Sequence, residues 1–163
     1  MGVAGVGKTT VGERLAADLG WPFYDADDLH PPANVEKMRR GVALTDADRA
    51  PWLAKIRSLI GELERAGQSA VIAWSALKQS YRDAIAEGTR DVRFVHLTGD
   101  FALIERRLRA RAGHFMSPGL LVSQFATLEE PLGALRVDVS RPPDEIAAEI
   151  ERKIREWGIG KGE

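Results

Sequence analysis

The sequence of 163 residues contains no cysteine. A disulfide framework, a Cys-ligated zinc or iron–sulfur centre and a cysteine nucleophile are therefore all excluded. Neither sign of charge is in excess: 23 Lys and Arg stand against 24 Asp and Glu, a net charge of −1. That balance excludes a strongly basic nucleic-acid binder and an acidic tail protein, though not a local patch. Aromatic residues make up only 7%, and no cluster of them offers a stacking platform for bases. No apolar run approaches the roughly 20 residues that cross a bilayer. No basic-then-apolar start marks a secretory signal. The expectation is a cytoplasmic protein with no nucleic-acid and no membrane partner. Apolar residues at 44% and charged residues at 29% describe an ordinary globule. One domain spanning 1–163 is expected, since a typical domain has about 150 residues.

The strongest positive signal is at the start. Residues 2–9 read Gly-Val-Ala-Gly-Val-Gly-Lys-Thr, which is the phosphate-binding P-loop pattern G-x-x-x-x-G-K-[ST]. Glycines at Gly2, Gly5 and Gly7 let the backbone turn so that successive N–H groups, that of Val6 among them, point at phosphate oxygens. The helix that follows adds its N-terminal partial charge, with Thr10 in its first turn. Lys8 reaches the β- and γ-phosphates of ATP, and the Thr9 hydroxyl can ligate Mg²⁺. Val11, Leu15, Ala16 and Leu19 then recur on one helical face.

Further along, apolar runs at 21–24, 69–73, 92–97 and 135–139 read as strands. Helical periodicity appears at 34–40, 51–66, 79–87, 101–111, within 119–129 and at 143–157. Residues 45–51, rich in Asp and closed by Pro51, read as a turn. Strands alternating with helices imply an α/β fold, a doubly wound parallel sheet with helices on both faces. Ligands in such sheets bind beyond the carboxyl ends of the strands. Asp25, Asp27, Ser75, Lys78, Thr98 and Asp100 sit there.

Several ordered motifs resemble the thermoresistant-type gluconokinases. They are Asp25-Ala-Asp-Asp-Leu-His-Pro31, Asn34-Val-Glu-Lys-Met38, Asp46-Ala-Asp-Arg-Ala-Pro-Trp-Leu53, Ser75-Ala-Leu-Lys78 with Tyr81-Arg-Asp83, Arg109-Ala-Arg-Ala-Gly-His-Phe115, and Gln124-Phe-Ala-Thr-Leu-Glu-Glu-Pro131. The resemblance covers residue 1 to about 150. It implies a P-loop NTPase fold with a small lid at about 112–118, similar to shikimate and adenylate kinases. It also implies ATP-dependent phosphorylation of D-gluconate to 6-phospho-D-gluconate with Mg²⁺; dimers are common in the family. Ala43 and Trp74 stand where the family usually has Pro and Cys.

The resemblance also implies roles. Asp27 orients the reacting hydroxyl, accepts its proton, or acts through the Mg²⁺ shell. Asp25 and His30 are further substrate contacts, or parts of the turn. Arg49 is the candidate for the gluconate carboxylate, because its planar fork matches that anion; its alternative is a salt bridge to Asp46 or Asp48. Lys78 is a second substrate or phosphate contact, or a solvated lysine. Arg107 and Arg111, one helical turn apart, lead into the lid, and Arg111 is the one expected over the ATP phosphates, with Gly113 as hinge. Two other readings are a shikimate-kinase-like activity and a nucleotide-binding protein without turnover.

One element is missing from the pattern. A P-loop follows a buried strand, and here only Met1 precedes Gly2. The chain is thus expected to begin at an internal position of the functional protein. In the family's sheet that strand is central, so the strands at 69–73 and 92–97 are expected to lack their shared neighbour, unless they pair directly or a partner chain fills the gap.

Overall fold

Helices and short parallel strands alternate along the chain in this computed structural model, which describes residues 1–89, 91–110 and 118–158. Helix α1 (Lys8–Leu19) springs directly from the P-loop. Its N-cap is Gly7 at φ 98°, a left-handed conformation that only glycine adopts freely. Strand β1 (Phe23–Asp25) leads through a 3₁₀ turn (Ala26–Leu29) into α2 (Pro32–Arg39) and α3 (Asp46–Arg65). Strand β2 (Val71–Ala73), α4 (Gln79–Ala86), β3 (Val95–Thr98), α5 (Phe101–Ala110), α6 (Pro118–Thr127), β4 (Leu135–Asp138) and α7 (Pro143–Glu156) follow.

The segment 45–51 is not the expected turn but the first part of α3. Asp48 N donates to Thr45 Oγ1 (3.1 Å), and Thr45 N donates to the Asp48 carboxylate (2.9 Å). This reciprocal capping box satisfies two orphan donors at once. It offsets the backbone bond forfeited at Pro51, which lies inside the helix.

The strands form two parallel pairs. Phe23, Tyr24 and Asp25 align with Val71, Ile72 and Ala73, and Val95–Thr98 align with Leu135–Asp138. The doubly wound arrangement is thus present as two half-sheets. Among the described residues, β2 and β3 do not pair with each other. Met1 and Gly2 lie between them. The Met1 amino group donates to the Val95 carbonyl (2.6 Å), Leu97 N donates to the Met1 carbonyl (2.9 Å), and Gly2 N donates to the Ser75 carbonyl (3.1 Å). Behind this seam is a cavity of about 600 Å³, lined by Met1, Leu15, Ile56, Trp74, Leu97 and Ile150 among others.

The buried apolar residues gather in two cores, bridged by α1, which packs on β1 and β2 as well as on α7. Val3, Val6, Val11, Leu97, Ile104 and Val137 belong to one, and α7 adds Ile146, Ile150 and Ile154 from a single face. Burying each such side chain contributes about 1.5–3 kcal/mol. The other core gathers Ala26, Trp52, Ile56, Ile60, Trp74, Ala76 and Ile85. The P-loop is packed into the first core, and the loops that follow β1 and β2 cover the second. Both therefore open at the same end of the strands. No helix among the described residues is long and apolar enough to cross a membrane.

Candidate active site

The P-loop is tightly seated. A Cβ placed on Gly5 would lie 2.5 Å from Leu108 Cγ, and φ there is +78°. Only glycine permits this approach of backbone to α5. Ala4 N donates to Gln124 Oε1 (2.6 Å), so the carboxamide of α6 steadies the loop from the far side. Lys8 Nζ donates to the Val3 carbonyl (3.0 Å), folding back across its own loop. Thr9 and Thr10 are exposed on the first turn of α1.

An acidic turn faces this loop. Asp25, the last residue of β1, accepts from Thr9 Oγ1 through Oδ2 (3.2 Å) and from Asp27 N through Oδ1 (3.0 Å). The acid bonded to the threonine is therefore Asp25; Asp27 stands one step further out. Asp27 reaches solvent, yet atoms crowd its carboxyl. That desolvation, reinforced by the Asp25 charge, raises its pKa above the ordinary carboxylate value against the opposing pull of Lys8 and His30. A carboxyl with a raised pKa beside a phosphate loop is suited to accept a proton.

His30 stacks on Trp52 with ring centroids 4.0 Å apart and planes at 16°. Its Nδ1 lies 3.3 Å from Asn34 Nδ2. Burial pulls its pKa down, so the ring is neutral at physiological pH. The Trp52 indole in turn donates to the Ala26 carbonyl (2.6 Å). His30 thus forms a wall of the acidic turn as well as a polar edge.

The cations expected to meet a substrate are brought together. Lys78 Nζ lies 3.3 Å and Arg49 Nη1 3.9 Å from the same oxygen, Asp46 Oδ1. The Tyr81 hydroxyl donates to that oxygen too. Arg49 also donates to the Leu44 carbonyl (2.7 Å), which fixes its plane. Both the substrate role and the salt-bridge alternative for Arg49 thus point to one place. Asp48 is engaged elsewhere, by Lys37 (2.8 Å) and by the helix cap; these bonds hold its pKa down at about 2.

The sequence motifs give no role to Arg82 or Tyr81 and give Asp46 only that of an alternative partner for Arg49, a pairing the structure contains at 3.9 Å. Arg82 is only 1% exposed. Its guanidinium donates to the carbonyls of Ala76 (2.6 Å), Leu77 (3.2 Å) and Glu129 (2.8 Å) and to Gln79 Oε1 (2.7 Å). It holds the 75–78 loop in a conformation where Ala76 takes a left-handed φ of 51°.

Arg107 donates to the Val139 carbonyl (2.6 Å), tying α5 to the end of β4. Arg111, Gly113 and nearly all of the lid expected at 112–118 lie outside the described residues.

The oxygen donors Thr9 and Asp25 suit Mg²⁺, a hard cation that takes one or two side chains and completes its shell with water and phosphate oxygens.

The shikimate kinase family model matches residues 4–121. A gluconokinase of Gluconobacter oxydans is 48% identical over 158 residues, covering 95% of this chain and 89% of the relative. The thermoresistant gluconokinase of Escherichia coli is 42% identical over 159 residues, covering 95% and 91%. The crystal structure of a gluconokinase from Sinorhizobium meliloti superimposes with a TM-score of 0.83 at 42% identity, covering 96% and 90%. With a P-loop kinase fold and near end-to-end similarity to these proteins, the chain belongs to the gluconokinase family.

Proposed function

We propose that the protein transfers the γ-phosphoryl group of ATP to the primary hydroxyl of D-gluconate, giving 6-phospho-D-gluconate for sugar-acid catabolism. The observation that carries this reading is the meeting of two unlike sites at one end of the strands. One is a phosphate loop with an acidic turn, in which Thr9 bonds Asp25 at 3.2 Å. The other is a seat where Arg49, Lys78 and Tyr81 converge on a carboxylate. A phosphoryl donor and an anionic polyol need that pair of environments. The 48% identity to a gluconokinase names the polyol.

Phosphoryl transfer asks a protein mainly for positioning and charge neutralisation. The backbone N–H groups of Gly5, Val6, Gly7, Lys8 and Thr9 cradle the phosphates, whereas Gly2 shapes the turn without contributing its own N–H, which bonds the Ser75 carbonyl, as that of Ala4 bonds Gln124. Lys8 leaves the Val3 carbonyl for the β- and γ-phosphates. Thr9 and Asp25, with Asp27 beside them, would hold Mg²⁺, whose charge would help neutralise that of the phosphates. Thr10 adds a hydroxyl to the phosphate side. Asp27 orients the substrate hydroxyl and takes its proton. His30 lends a ring edge to a sugar hydroxyl, and Arg49 with Lys78 binds the carboxylate. Arg107 and Arg111 belong to the nucleotide side, with Arg111 carried by a lid over the phosphates. The same reading comprises one kinase domain over 1–163, a cytoplasmic location and a homodimer.

The test is an ADP-release assay with gluconate, shikimate and AMP in parallel. Gluconate-dependent release is expected. Silence with gluconate while shikimate or AMP reacts would overturn the assignment; ATP binding without release would favour a protein without turnover.

A further inference from the structure

We propose that Asp46 is an internal occupant of the substrate's carboxylate seat, displaced when the anion binds, and that it thereby sets the affinity for acidic substrates. This deepens the gluconate reading and rests on it. Three donors from three places converge on Asp46 Oδ1: Arg49 from α3, Lys78 from the loop after β2, and Tyr81 from α4. The Arg49 guanidinium lies 5.9 Å from the Tyr81 ring centroid and the Lys78 ammonium 5.4 Å, so both cations border the same phenol. Such a set of donors recognises a carboxylate from any source.

Asp46 lies in the first turn of α3, where a carboxylate complements the helix dipole, but that does not require its bonds to Lys78 and Tyr81. The cap of α3 is made by Thr45 and Asp48 without it. Its side chain is 71% exposed, so packing does not hold it in place. The tie is polar: bonds from Tyr81 and Lys78 keep its pKa below the ordinary value. Counting formal charges, Arg49 and Lys78 bring two positives and Asp46 one negative. With Asp46 seated, half of the attraction for a second carboxylate is already spent. An exposed side chain on rotatable bonds can swing away, and an incoming carboxylate takes over its donors.

The rival explanation is that Asp46 merely positions Lys78 and Tyr81 for the substrate. The two predict opposite signs. Asp46→Asn retains shape but weakens the hold on both cations. Internal competition predicts a KM for gluconate lowered about 3–10-fold, an unchanged kcat and an unchanged KM for ATP. It also predicts no change toward gluconamide, which has the polyol but not the anion. A positioning role predicts a raised KM for gluconate, and that result would overturn the proposal, as would an unchanged one. Asp144→Asn, remote on α7, controls for the loss of one negative charge. Calorimetric binding of gluconate to the unmodified protein and to Asp46→Asn separates this idea from the kinase assignment. Tighter binding to the variant without turnover by either would refute the reaction and retain the seat. Gluconate binding neither protein would refute both.

Discussion

Arg82 offers the most direct test of how the substrate loop is held. Replacing it with Met preserves apolar bulk and removes every guanidinium donor. The Leu77 carbonyl keeps a partner, since Glu129 N donates to it at 2.8 Å. The carbonyls of Ala76 and Glu129 lose the Arg82 bonds at 2.6 and 2.8 Å. Leaving a buried acceptor unsatisfied costs about 1–3 kcal/mol. The Ala76 site is buried and falls at the upper end, whereas the Glu129 site is only partly buried and falls at the lower. The sum is about 3–4 kcal/mol. For a domain of this size each kcal/mol moves Tm by about 2–4 °C, so a fall of roughly 6–16 °C is expected. The left-handed Ala76, itself costing about 1–2 kcal/mol, also loses the bond that sustains it. Lys78 stands two residues on, so gluconate KM is expected to rise about tenfold, a misplacement effect, while ATP KM stays put. Thermal unfolding by circular dichroism and steady-state kinetics supply both numbers. Arg82→Lys should recover little, because a point charge cannot span carbonyls on two loops. A variant Arg82→Met that melts within about 2 °C of the parent with unchanged gluconate KM would refute the reasoning.

Three further outcomes are expected. Lys8→Ala should abolish turnover and leave the circular dichroism spectrum intact, because Lys8 bonds its own loop rather than the core; near-normal activity would refute the P-loop assignment. Asp27→Asn should lower kcat by about 10²-fold or more, the scale of a lost general base, with gluconate KM alone rising if Asp27 only binds. Because the folded state raises the Asp27 pKa, it holds that proton more tightly than the unfolded chain does. Stability therefore falls as pH rises from the ordinary carboxylate value through the raised one, and kcat rises over the same window. Asp27→Asn should flatten both slopes in denaturant titrations and pH–rate profiles. Gly5→Ala should unseat the P-loop, since the new Cβ meets Leu108 Cγ at 2.5 Å. Lost nucleotide binding with a lowered Tm is expected, and ATP affinity equal to the parent would show that α5 yields.

Legibility from sequence divided along contact distance. The P-loop was readable because Gly2 to Thr9 are contiguous and their chemistry is local. Helices α1, α5 and α7 were readable from apolar residues at helical spacing. The start of α3 is less legible, because Pro51 and the Asp residues before it have the composition of a turn, although Thr45 and Asp48, three apart, are a capping signal. Asp25 and Asp27 stand out beyond a strand, but nothing in their spacing places Thr9 on Asp25. Nothing local announced that Lys78 and Tyr81, 32 and 35 residues beyond Asp46, would share its oxygen. Nor did anything local announce that Gln124 would hold Ala4 from 120 residues away. Such pairings are made by the packing of helices, to which a one-dimensional pattern is blind.

The division into two half-sheets also bears on how the chain folds. Each ladder closes its own loop, roughly 40–50 residues long, at an entropic cost that grows only slowly with length. The cores they gather are interlocked: α1, whose Val11 and Leu15 lie in the first, packs on β1 and β2, and Val92 and Phe94 before β3 pack against the second. Bonds cross between the halves as well, from Met1 to Val95 and Gly2 to Ser75 at one place and from Glu129 to Leu77 and Arg82 at another. The two ladders are therefore expected to be gained together, as one cooperative unit. The P-loop is seated within the same unit, Gly5 against Leu108 and Ala4 on Gln124. In refolding, secondary structure and nucleotide binding should therefore return in one phase.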